Sequence, residues 1–325
     1  MQLFRQLADV PPNFGPSVAT IGNFDGVHRG HQWVLSEVVA RARSLGITSV
    51  AVTFDPHPAR ITRPESRQPL ITPLDEKIRR IAATGVDALL ILPFTAALAR
   101  TAARDFATNI LQQTLHVREL HEGENFRFGY QAEAGVQSLK ALGRELGFTV
   151  RVYAPRHLRR RAISSTTIRA LIAEGNVSQA RALLGRPFSI AGTPASGRGY
   201  GTRYAVPTIN LAPYDELLPA NGVYITTLTV GTGPCIETFD AVTNIGTRPT
   251  FGADALTVES HLLNFHPIEL TEATPLTLTF LRRLRPEIHW PSPEALREQI
   301  GRDVHRAQRY FALASALYRT QSKST

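Results

Sequence analysis

Short apolar segments alternate with amphipathic helical patterns through the first half of the chain. Because each strand is followed by a helix, this order predicts a parallel sheet that is covered by helices on both faces. The predicted strands are Val18–Ile21, Ser49–Phe54, Ala88–Leu92, Val117–His121 and Phe148–Tyr153. The predicted helices are Gly30–Ser44, Leu74–Ala83, Ala103–Thr114 and Gly135–Leu146.

The pattern changes after Phe188 to short apolar or alternating runs that are separated by Gly, Pro and Asn. Such runs are typical of an antiparallel barrel or sandwich. The predicted runs are Gly222–Val230, Ile236–Thr243, Leu256–Asn264 and Leu276–Leu281. A last helix is expected from about Pro293, with apolar side chains along one face. A chain of 325 residues is long enough for two domains, which we place at residues 1–185 and 186–319, with a disordered tail at 320–325.

Composition limits the classes of protein to which the chain can belong. Cys235 is the single cysteine, so an intrachain disulfide is excluded and a reducing cytoplasm is expected. No apolar run approaches the roughly 20 residues of a membrane span, and the first residues lack the apolar core of a signal peptide. The net charge of +9 is compatible with nucleic acid or with anionic small ligands. Because the arginines are spread along the chain, we favour small ligands.

The segment Ile21–Gln32 reads Ile-Gly-Asn-Phe-Asp-Gly-Val-His-Arg-Gly-His-Gln and joins a predicted strand to a predicted helix. Backbone N–H groups and the positive end of a helix meet at such a junction and favour an anion. His28 and His31 are three residues apart, so both imidazoles face the same side of the first helical turn. Three glycines allow tight turning and close backbone approach to a ligand, namely Gly22, Gly26 and Gly30. The alternatives for the two histidines are surface decoration and half of a metal site, but zinc would require cysteine or carboxylate partners and the chain has one cysteine.

Further segments carry polar or aromatic residues that suit a ligand. Asp55–Pro58 follows a predicted strand, where the sites of α/β proteins gather, although a proline-stiffened turn is the alternative. Gly123–Gly129 contains two phenylalanines that either line a ring pocket or only pack together. Ile163–Arg169 combines hydroxyl groups that can cap a helix with an arginine one turn later, which also makes a phosphate clamp. The basic run Arg156–Arg161 is either a phosphate-attracting loop or a solvated face.

Residues 22–31 resemble the Gly-x-Phe-Asp-Gly-x-His-x-Gly-His signature of the nucleotidyltransferase superfamily, and look most like the adenylyltransferase module of bacterial bifunctional riboflavin kinase/FAD synthetases. Residues 123–129 are similar to the Gly-x-Asp/Asn-Phe-x-Phe-Gly segment of that family, and residues 163–169 to its Ile-Ser-Ser-Thr-x-Ile-Arg signature. The resemblance implies that His28 and His31 are catalytic and stabilise charge on phosphates. The implied ligands of ATP and its phosphates are Gly22, Asn23, Phe24, Asp25, Gly30, Asn125, Ser164, Ser165, Thr166 and Arg169. The implied flavin ligands in this half are Asp55, Pro56, Phe126 and Phe128.

The second half of the chain resembles riboflavin kinases in three strings. Its Pro-Thr-Ile-Asn tetrapeptide is similar to the Pro-Thr-Ala-Asn signature, whose oxygens bind Mg²⁺, so Thr208 and Asn210 are the implied metal ligands. Val258–Phe265 matches a second string, and the resemblance makes Glu259 the general base that takes a proton from riboflavin. Asn244–Phe251 matches a third string and adds two implied flavin ligands, Asn244 and Arg248.

The resemblance implies a Rossmann-like nucleotidyltransferase domain with a parallel sheet, followed by an antiparallel β-barrel riboflavin kinase domain with a C-terminal helix. It implies an enzyme that phosphorylates riboflavin to FMN with ATP and Mg²⁺ and adenylylates FMN to FAD, with release of pyrophosphate. We expect no nucleic-acid or membrane partner, and a monomer or weak homo-oligomer.

Two alternatives to this function stay open. One is an FAD synthetase whose kinase domain is weak or inactive, because Thr202 and Ala205 replace an arginine and a glycine that are usual in the family. The other is a basic nucleic-acid-binding protein.

Overall fold

A computed structural model describes residues 1–66, 68–195, 208–233, 236–248, 255–288 and 290–321 of the chain. By its internal contacts the chain divides into two units, Met1–Thr167 and Ile168–Thr325. Each unit contains its own six-stranded sheet.

The first unit alternates strands with helices. Its strands are β1 (Gln2–Phe4), β2 (Ser17–Ile21), β3 (Thr48–Asp55), β4 (Ala88–Pro93), β5 (Val117–Gly123), β6 (Arg127–Phe128), β7 (Ala134–Gly135), β8 (Thr149–Tyr153), β9 (His157–Leu158) and β10 (Arg161–Ala162). Its helices are α1 (Arg29–Leu45), α2 (Pro58–Thr62), α3 (Leu74–Ala82), α4 (Ala96–Ala99), α5 (Ala103–Phe106), which a π-helix continues over Ala107–Thr114, and α6 (Val136–Leu146). The next helix, α7 (Ser165–Ala173), begins in this unit and ends in the second.

The large sheet of the first unit is parallel and has the strand order β1-β4-β3-β2-β5-β8. The predicted parallel sheet is therefore confirmed, and the predicted strands correspond to β2, β3, β4, β5 and β8. The sequence pattern does not predict β1, because three residues are too few to show a period. The chain order reverses between β2 and β5. Ligands of open α/β sheets bind at such a reversal, beyond the carboxyl ends of the strands.

Helices cover both faces of this sheet, as the alternation predicts. In β4, Leu89 and Ile91 join the core on one face, whereas Leu90 and Leu92 join the core on the other. The first core includes apolar side chains of α1 and α3, namely Leu35, Val39 and Ile81. The second core includes apolar side chains of α5, the π-helix and α6, namely Phe106, Ile110, Leu111, Leu139 and Leu142. A strand that is buried on both faces reads as a continuous apolar run.

The second unit is built on antiparallel strands. Its strands are β11 (Phe188–Gly192), β12 (Thr208–Asn210), β13 (Gly222–Val230), β14 (Glu237–Arg248), β15 (Ala255–Leu262) and β16 (Leu276–Pro286), and its further helices are α8 (Val177–Leu184) and α9 (Pro293–Gln321). The strand order is β11-β16-β13-β14-β15-β12, and every neighbouring pair is antiparallel.

The segment that directly follows β11 pairs with the end of β12, so the sheet curls back on itself. The backbone N–H of Ala195 donates to the Asn210 carbonyl (2.8 Å), and that of Ala212 donates to the Thr193 carbonyl (2.8 Å). The predicted antiparallel barrel with a C-terminal helix is confirmed. The expected domain boundary between residues 185 and 186 stays a prediction, and residues 322–325 of the expected tail lie outside the described residues. Among the described helices, none has both the length and the apolar character that crossing a bilayer requires.

Candidate functional site

The two histidines lie together at the start of α1, directly after the loop that follows β2. We call residues 22–31 the histidine loop. His28 caps α1, and its Nδ1 atom accepts a hydrogen bond from the backbone N–H of His31 (3.3 Å). Because Nδ1 is an acceptor, the neutral ring of His28 carries its proton on Nε2 and can donate from there. The two imidazoles stack at 3.6 Å between centroids, and the Phe24 ring meets His31 edge-on at 5.2 Å.

The imidazole of His31 is neutral at neutral pH. Burial lowers its pKa well below the usual value, and electrostatic interactions with His28 and Lys77 lower the pKa further. Its Nδ1 atom is buried and has no hydrogen-bond partner within the described part of the chain. Two imidazolium rings would repel each other at the observed stacking distance, so neutrality also stabilises the pair. A neutral imidazole keeps one N–H donor for a ligand.

The backbone of the histidine loop is strained. Phe24 and Val27 have φ angles of 46° and 36°, in the left-handed region that non-glycine residues rarely adopt. A β carbon on Gly30 would lie 3.2 Å from the Cε1 and Nδ1 atoms of His28, so glycine lets the His28 ring pack against the first turn of α1. Strained backbone persists where surrounding contacts hold it, and it concentrates at functional sites.

Asp25 holds the loop through both its side chain and its backbone. Its buried carboxylate accepts hydrogen bonds from the backbone N–H groups of Ile71 (3.0 Å) and Thr72 (3.1 Å), just before α3. Its carbonyl accepts a hydrogen bond from the hydroxyl of Ser165 (2.8 Å). The carboxylate of Asp25 thus holds the protein backbone, and the implied contact of this residue with ATP stays a prediction.

The hydroxyl-rich segment before α7 reaches the histidine loop. Ser164 accepts a hydrogen bond from the backbone N–H of Thr167 (3.1 Å), as expected for a helix cap. Ser165 is 140 residues away from Asp25 in sequence but donates to its carbonyl. Thr166 is exposed, and Arg169 lies one turn further along α7. The structure therefore brings together two of the segments that the sequence singles out.

Lys77 is a buried residue of this region that the sequence reasoning missed. It lies on α3, and its Nζ donates to the carbonyl of Asn23 (3.2 Å) at the start of the histidine loop. Burial lowers the pKa of its ammonium, and the nearby carboxylates of Asp25 and Asp55 act in the opposite direction. One signal was present in the sequence, since Lys77 lies four residues before the buried Ile81 and so falls on the apolar face of its helix.

An aromatic cavity of about 430 Å³ opens beside the loop, beyond the ends of the strands. Phe126 and Phe128 line it together with Asn23, and the two phenyl rings stack at 5.5 Å between centroids. Asn125 is exposed in the turn before them. The other implied flavin residues, Asp55 and Pro56, follow β3 and are not part of the described lining, to which Pro58 contributes.

A second cavity, of about 690 Å³, lies in the second unit. Its polar wall is made by Thr208, Asn244, Glu259 and His261. Strand register brings these side chains together: Thr208 pairs with His261 and Asn210 pairs with Glu259 across β12 and β15, while Asn244 pairs with Glu259 across β14 and β15. Directly paired residues of antiparallel strands share a face of the sheet. The Thr208 hydroxyl and His261 Nδ1 are 3.4 Å apart.

The opposite wall of this cavity is fixed by a buried ion pair between β16 and α9. Arg285 Nε donates to Asp303 Oδ2 (2.8 Å), and Gln299 donates to the other carboxylate oxygen (2.9 Å). The guanidinium of Arg285 also lies over the ring of Trp290, at 5.5 Å from its centroid. Thr202, Ala205 and the side chain of Arg248 lie outside the described residues, so their expected roles stay predictions. Among the residues that are described, no group of three His, Cys, Asp or Glu could hold a metal ion.

Comparisons with known proteins agree with this division of the chain. Residues 11–167 match the family model described as FAD synthetase, and residues 184–311 match the model described as riboflavin kinase. The chain is 37% identical over 321 residues to the bifunctional riboflavin kinase/FMN adenylyltransferase of Pseudomonas fluorescens, covering 97% of this chain and 99% of the relative. It is 33% identical over 300 residues to the protein of that name from Escherichia coli K12, covering 91% and 93%. A solved structure of a macrolide-efflux protein from Streptococcus pneumoniae matches with a TM-score of 0.78 and 26% identity, covering 94% of this chain and 98% of that one.

Proposed function

The chain belongs to the family of bifunctional riboflavin kinase/FMN adenylyltransferases, and we propose that each of its two sites carries one of the two activities. The enzyme phosphorylates riboflavin with ATP to give FMN, and transfers AMP from ATP to FMN to give FAD and pyrophosphate. The histidine loop carries the adenylyl transfer, and the cavity of the second unit carries the kinase reaction. We place the boundary between the two catalytic domains at residues 185 and 186.

One observation above all supports the adenylyltransferase assignment. The hydrogen bond from the Ser165 hydroxyl to the Asp25 carbonyl joins the histidine loop to the N-terminus of α7. The N-terminal ends of α1 and α7 then contribute free backbone N–H groups to a triphosphate, together with the hydroxyls of Ser164 and Thr166. Arg169 supplies a positive charge from the next turn of α7.

In the adenylyl transfer, a phosphate oxygen of FMN attacks the α-phosphorus of ATP. The bond from that phosphorus to the bridging oxygen breaks, and pyrophosphate leaves with the electron pair. The attacking oxygen carries no proton that must be removed, so the protein acts by positioning and by stabilising charge. His28 and His31 donate N–H groups to the phosphate oxygens on which charge develops. Because the His31 imidazole is neutral, it can donate without repelling the stacked ring of His28.

The aromatic cavity beside the histidine loop takes the flavin ring of FMN. The stacked rings of Phe126 and Phe128 supply a flat apolar wall, on which an aromatic ligand can stack. Asn23 lies both in this cavity and at the start of the histidine loop. A flavin that is bound there has its phosphate directed to the loop, which is the arrangement that in-line attack on ATP requires.

In the kinase reaction, Glu259 takes the proton from the terminal hydroxyl of riboflavin as the oxygen attacks the γ-phosphorus of ATP, and ADP leaves. Thr208 and Asn210 are two residues apart on β12 and share a face, so their oxygens fit Mg²⁺, which prefers oxygen ligands and keeps several waters. When bound, Mg²⁺ neutralises charge on the ATP phosphates. Asn244 lies opposite Glu259 in the register and is placed to orient the flavin. A cytoplasmic location is favoured by the single cysteine, while the oligomeric state and the expected lack of nucleic-acid binding stay predictions.

A crossed mutational experiment tests both assignments. Purified protein is given either riboflavin or FMN, with ATP and Mg²⁺, and the flavins are separated by chromatography. We expect His28→Ala with His31→Ala to lower FAD formation from FMN by at least about 100-fold and to spare riboflavin phosphorylation. We expect Glu259→Ala to do the reverse, by about 100-fold or more. Unchanged FAD formation in the histidine variant, or unchanged FMN formation in the Glu259 variant, rejects the corresponding assignment.

A further inference from the structure

Lys77 occupies a position in which the burial of its ammonium group costs free energy. Its side chain lies on α3 and is only 4% exposed. Its Nζ has three hydrogen-bond acceptors, which are the carbonyls of Asn23 (3.2 Å) and Phe54 (3.5 Å) and the hydroxyl of Thr53 (3.5 Å). All three acceptors are neutral oxygens. An ammonium group loses much of its hydration free energy when it is buried, and neutral acceptors restore only part of that loss.

The acceptors of Lys77 lie where the first site is assembled. Thr53 and Phe54 lie near the carboxyl end of strand β3, and Asn23 directly precedes the strained residue Phe24. The hydroxyl of Thr53 also donates to the Asn23 carbonyl (3.3 Å), so this carbonyl is held from both β3 and α3. On the other side of Phe24, the carboxylate of Asp25 is held by the backbone that leads into α3. The strained residue is therefore anchored on both sides.

The charge of Lys77 also acts on the histidine pair. The groups that shift the pKa of His31 downward, after burial itself, are His28 and Lys77. The groups that face Lys77 with opposite charge are Asp25 and Asp55. An ammonium that stays charged near His31 disfavours the imidazolium form, which is the form that would repel the stacked ring of His28.

We propose that Lys77 is a positioning residue for the adenylyl transfer, which fixes the histidine loop through the Asn23 carbonyl and acts on His31 through its charge. The inference rests on the proposed role of the histidine pair. Lys77 touches neither ATP nor FMN in this scheme. Its contribution is to hold the donors of the loop where charge develops, and small displacements of such donors reduce rates strongly.

The test replaces Lys77 with Met, which keeps the length of the apolar stem and removes the charge. Lys140→Met is the matched control, because Lys140 is exposed on α6. We expect Lys77→Met to lower kcat for FAD formation from FMN by roughly 10- to 100-fold, to spare riboflavin phosphorylation, and to raise the pKa of His31 as followed by NMR titration. A loss of overall stability that leaves the histidine loop in place would not move the pKa of His31. Lys77→Arg keeps the charge, so we expect it to keep the low pKa of His31 and to recover part of the rate.

The outcomes separate the inference from the function on which it rests. If Lys77→Met does not fold, as judged by the loss of native Trp33 fluorescence in a Trp290→Phe background, Lys77→Gln replaces it with the same expectations. FAD formation within twofold of wild type, or an unchanged pKa of His31 in the folded variant, overturns the inference. His31→Ala is measured alongside: if that variant loses FAD formation while Lys77→Met does not, only the role of Lys77 fails. If His31→Ala itself retains full FAD formation, the proposed function of the loop fails first.

Discussion

The two proposed ATP-dependent sites of this chain are built in opposite ways. In the first unit, the functional side chains are carried by a loop with two non-glycine residues in the left-handed region, Phe24 and Val27. In the second unit, they are carried by strands, and the antiparallel register alone places Asn210, Asn244 and Glu259 in a row. A strand register is fixed by many backbone hydrogen bonds, whereas the loop depends on a few buried polar contacts.

The difference predicts different sensitivities to mutation. A single lost contact in the loop displaces the histidines by fractions of an ångström and leaves the parallel sheet intact. A single lost contact in the second unit leaves the register intact, unless it releases the α9 wall of the cavity. Mutations at the first site should therefore lower the catalytic rate before they lower the stability of the fold. Mutations that release the α9 wall of the second site should lower stability and rate together.

The largest effect is expected when the ion pair that holds α9 against β16, at the wall of the second cavity, is broken. Arg285→Met leaves the carboxylate of Asp303, which is 2% exposed, without its ion-pair partner. Breaking a buried pair on one side costs roughly 3–5 kcal/mol. We expect the temperature of half-inactivation of riboflavin phosphorylation to fall by roughly 10 °C, while that of FMN adenylylation is retained. Arg306→Met on the exposed surface of α9 is the control, and an equal effect there would contradict the assignment to the buried pair.

A smaller and purely kinetic effect is expected at Gly30. A β carbon would lie 3.2 Å from the His28 ring, so the ring must shift by a few tenths of an ångström. We expect Gly30→Ala to lower kcat for FAD formation by about tenfold, with thermal stability equal to or above wild type, because Ala favours a helix over Gly by about 1 kcal/mol. Gly301→Ala on α9, where a β carbon meets open space, is the control. A Gly30→Ala variant with full activity would show that the His28 ring position is not critical.

The contact between the two signature segments contributes less. Ser165→Ala removes the hydroxyl that donates to the Asp25 carbonyl, at a cost of about 1 kcal/mol. If the contact positions the triphosphate site, kcat/KM for ATP in FAD formation falls about fivefold. Ser44→Ala on the exposed side of α1 provides the comparison, and identical steady-state parameters in both variants would argue that Ser165 acts only as a helix residue.

Sequence reasoning predicted the architecture because two hydrophobic patterns are strong, namely the helical period of the first half of the chain and the short alternating runs of the second half. It also singled out the segments that meet in the structure, including Ser165 and the histidine loop, because glycine, hydroxyl and imidazole residues are unusual at a strand-to-helix junction. It could not find Lys77, because a single charged residue inside an apolar pattern does not reveal its partners. Asp25 illustrates a further limit: the sequence does not show that its carboxylate accepts hydrogen bonds from the backbone of Ile71 and Thr72. Such contacts join residues that are distant in sequence.

The smallest expected effect concerns a buried acid at the base of the first site. Glu122 lies on β5 where the strand diverges from β2, is 3% exposed, and accepts a hydrogen bond from the backbone N–H of Ile21 (2.7 Å). Burial raises the pKa of Glu122 well above 4.5, so the folded state binds the proton more tightly than the unfolded state does. The stabilisation of the folded state by protonated Glu122 is complete below pH 4.5 and is lost as the pH rises from there through the raised pKa.

Glu122→Gln keeps the hydrogen-bond acceptor for Ile21 and cannot ionise. The free energy of unfolding of this variant should therefore exceed that of wild type increasingly from pH 5 to pH 8, as measured by urea unfolding with Trp33 fluorescence in a Trp290→Phe background. A constant difference between the two proteins over this range would show that Glu122 is not held protonated by the fold, and that this edge of the first site tolerates a buried charge.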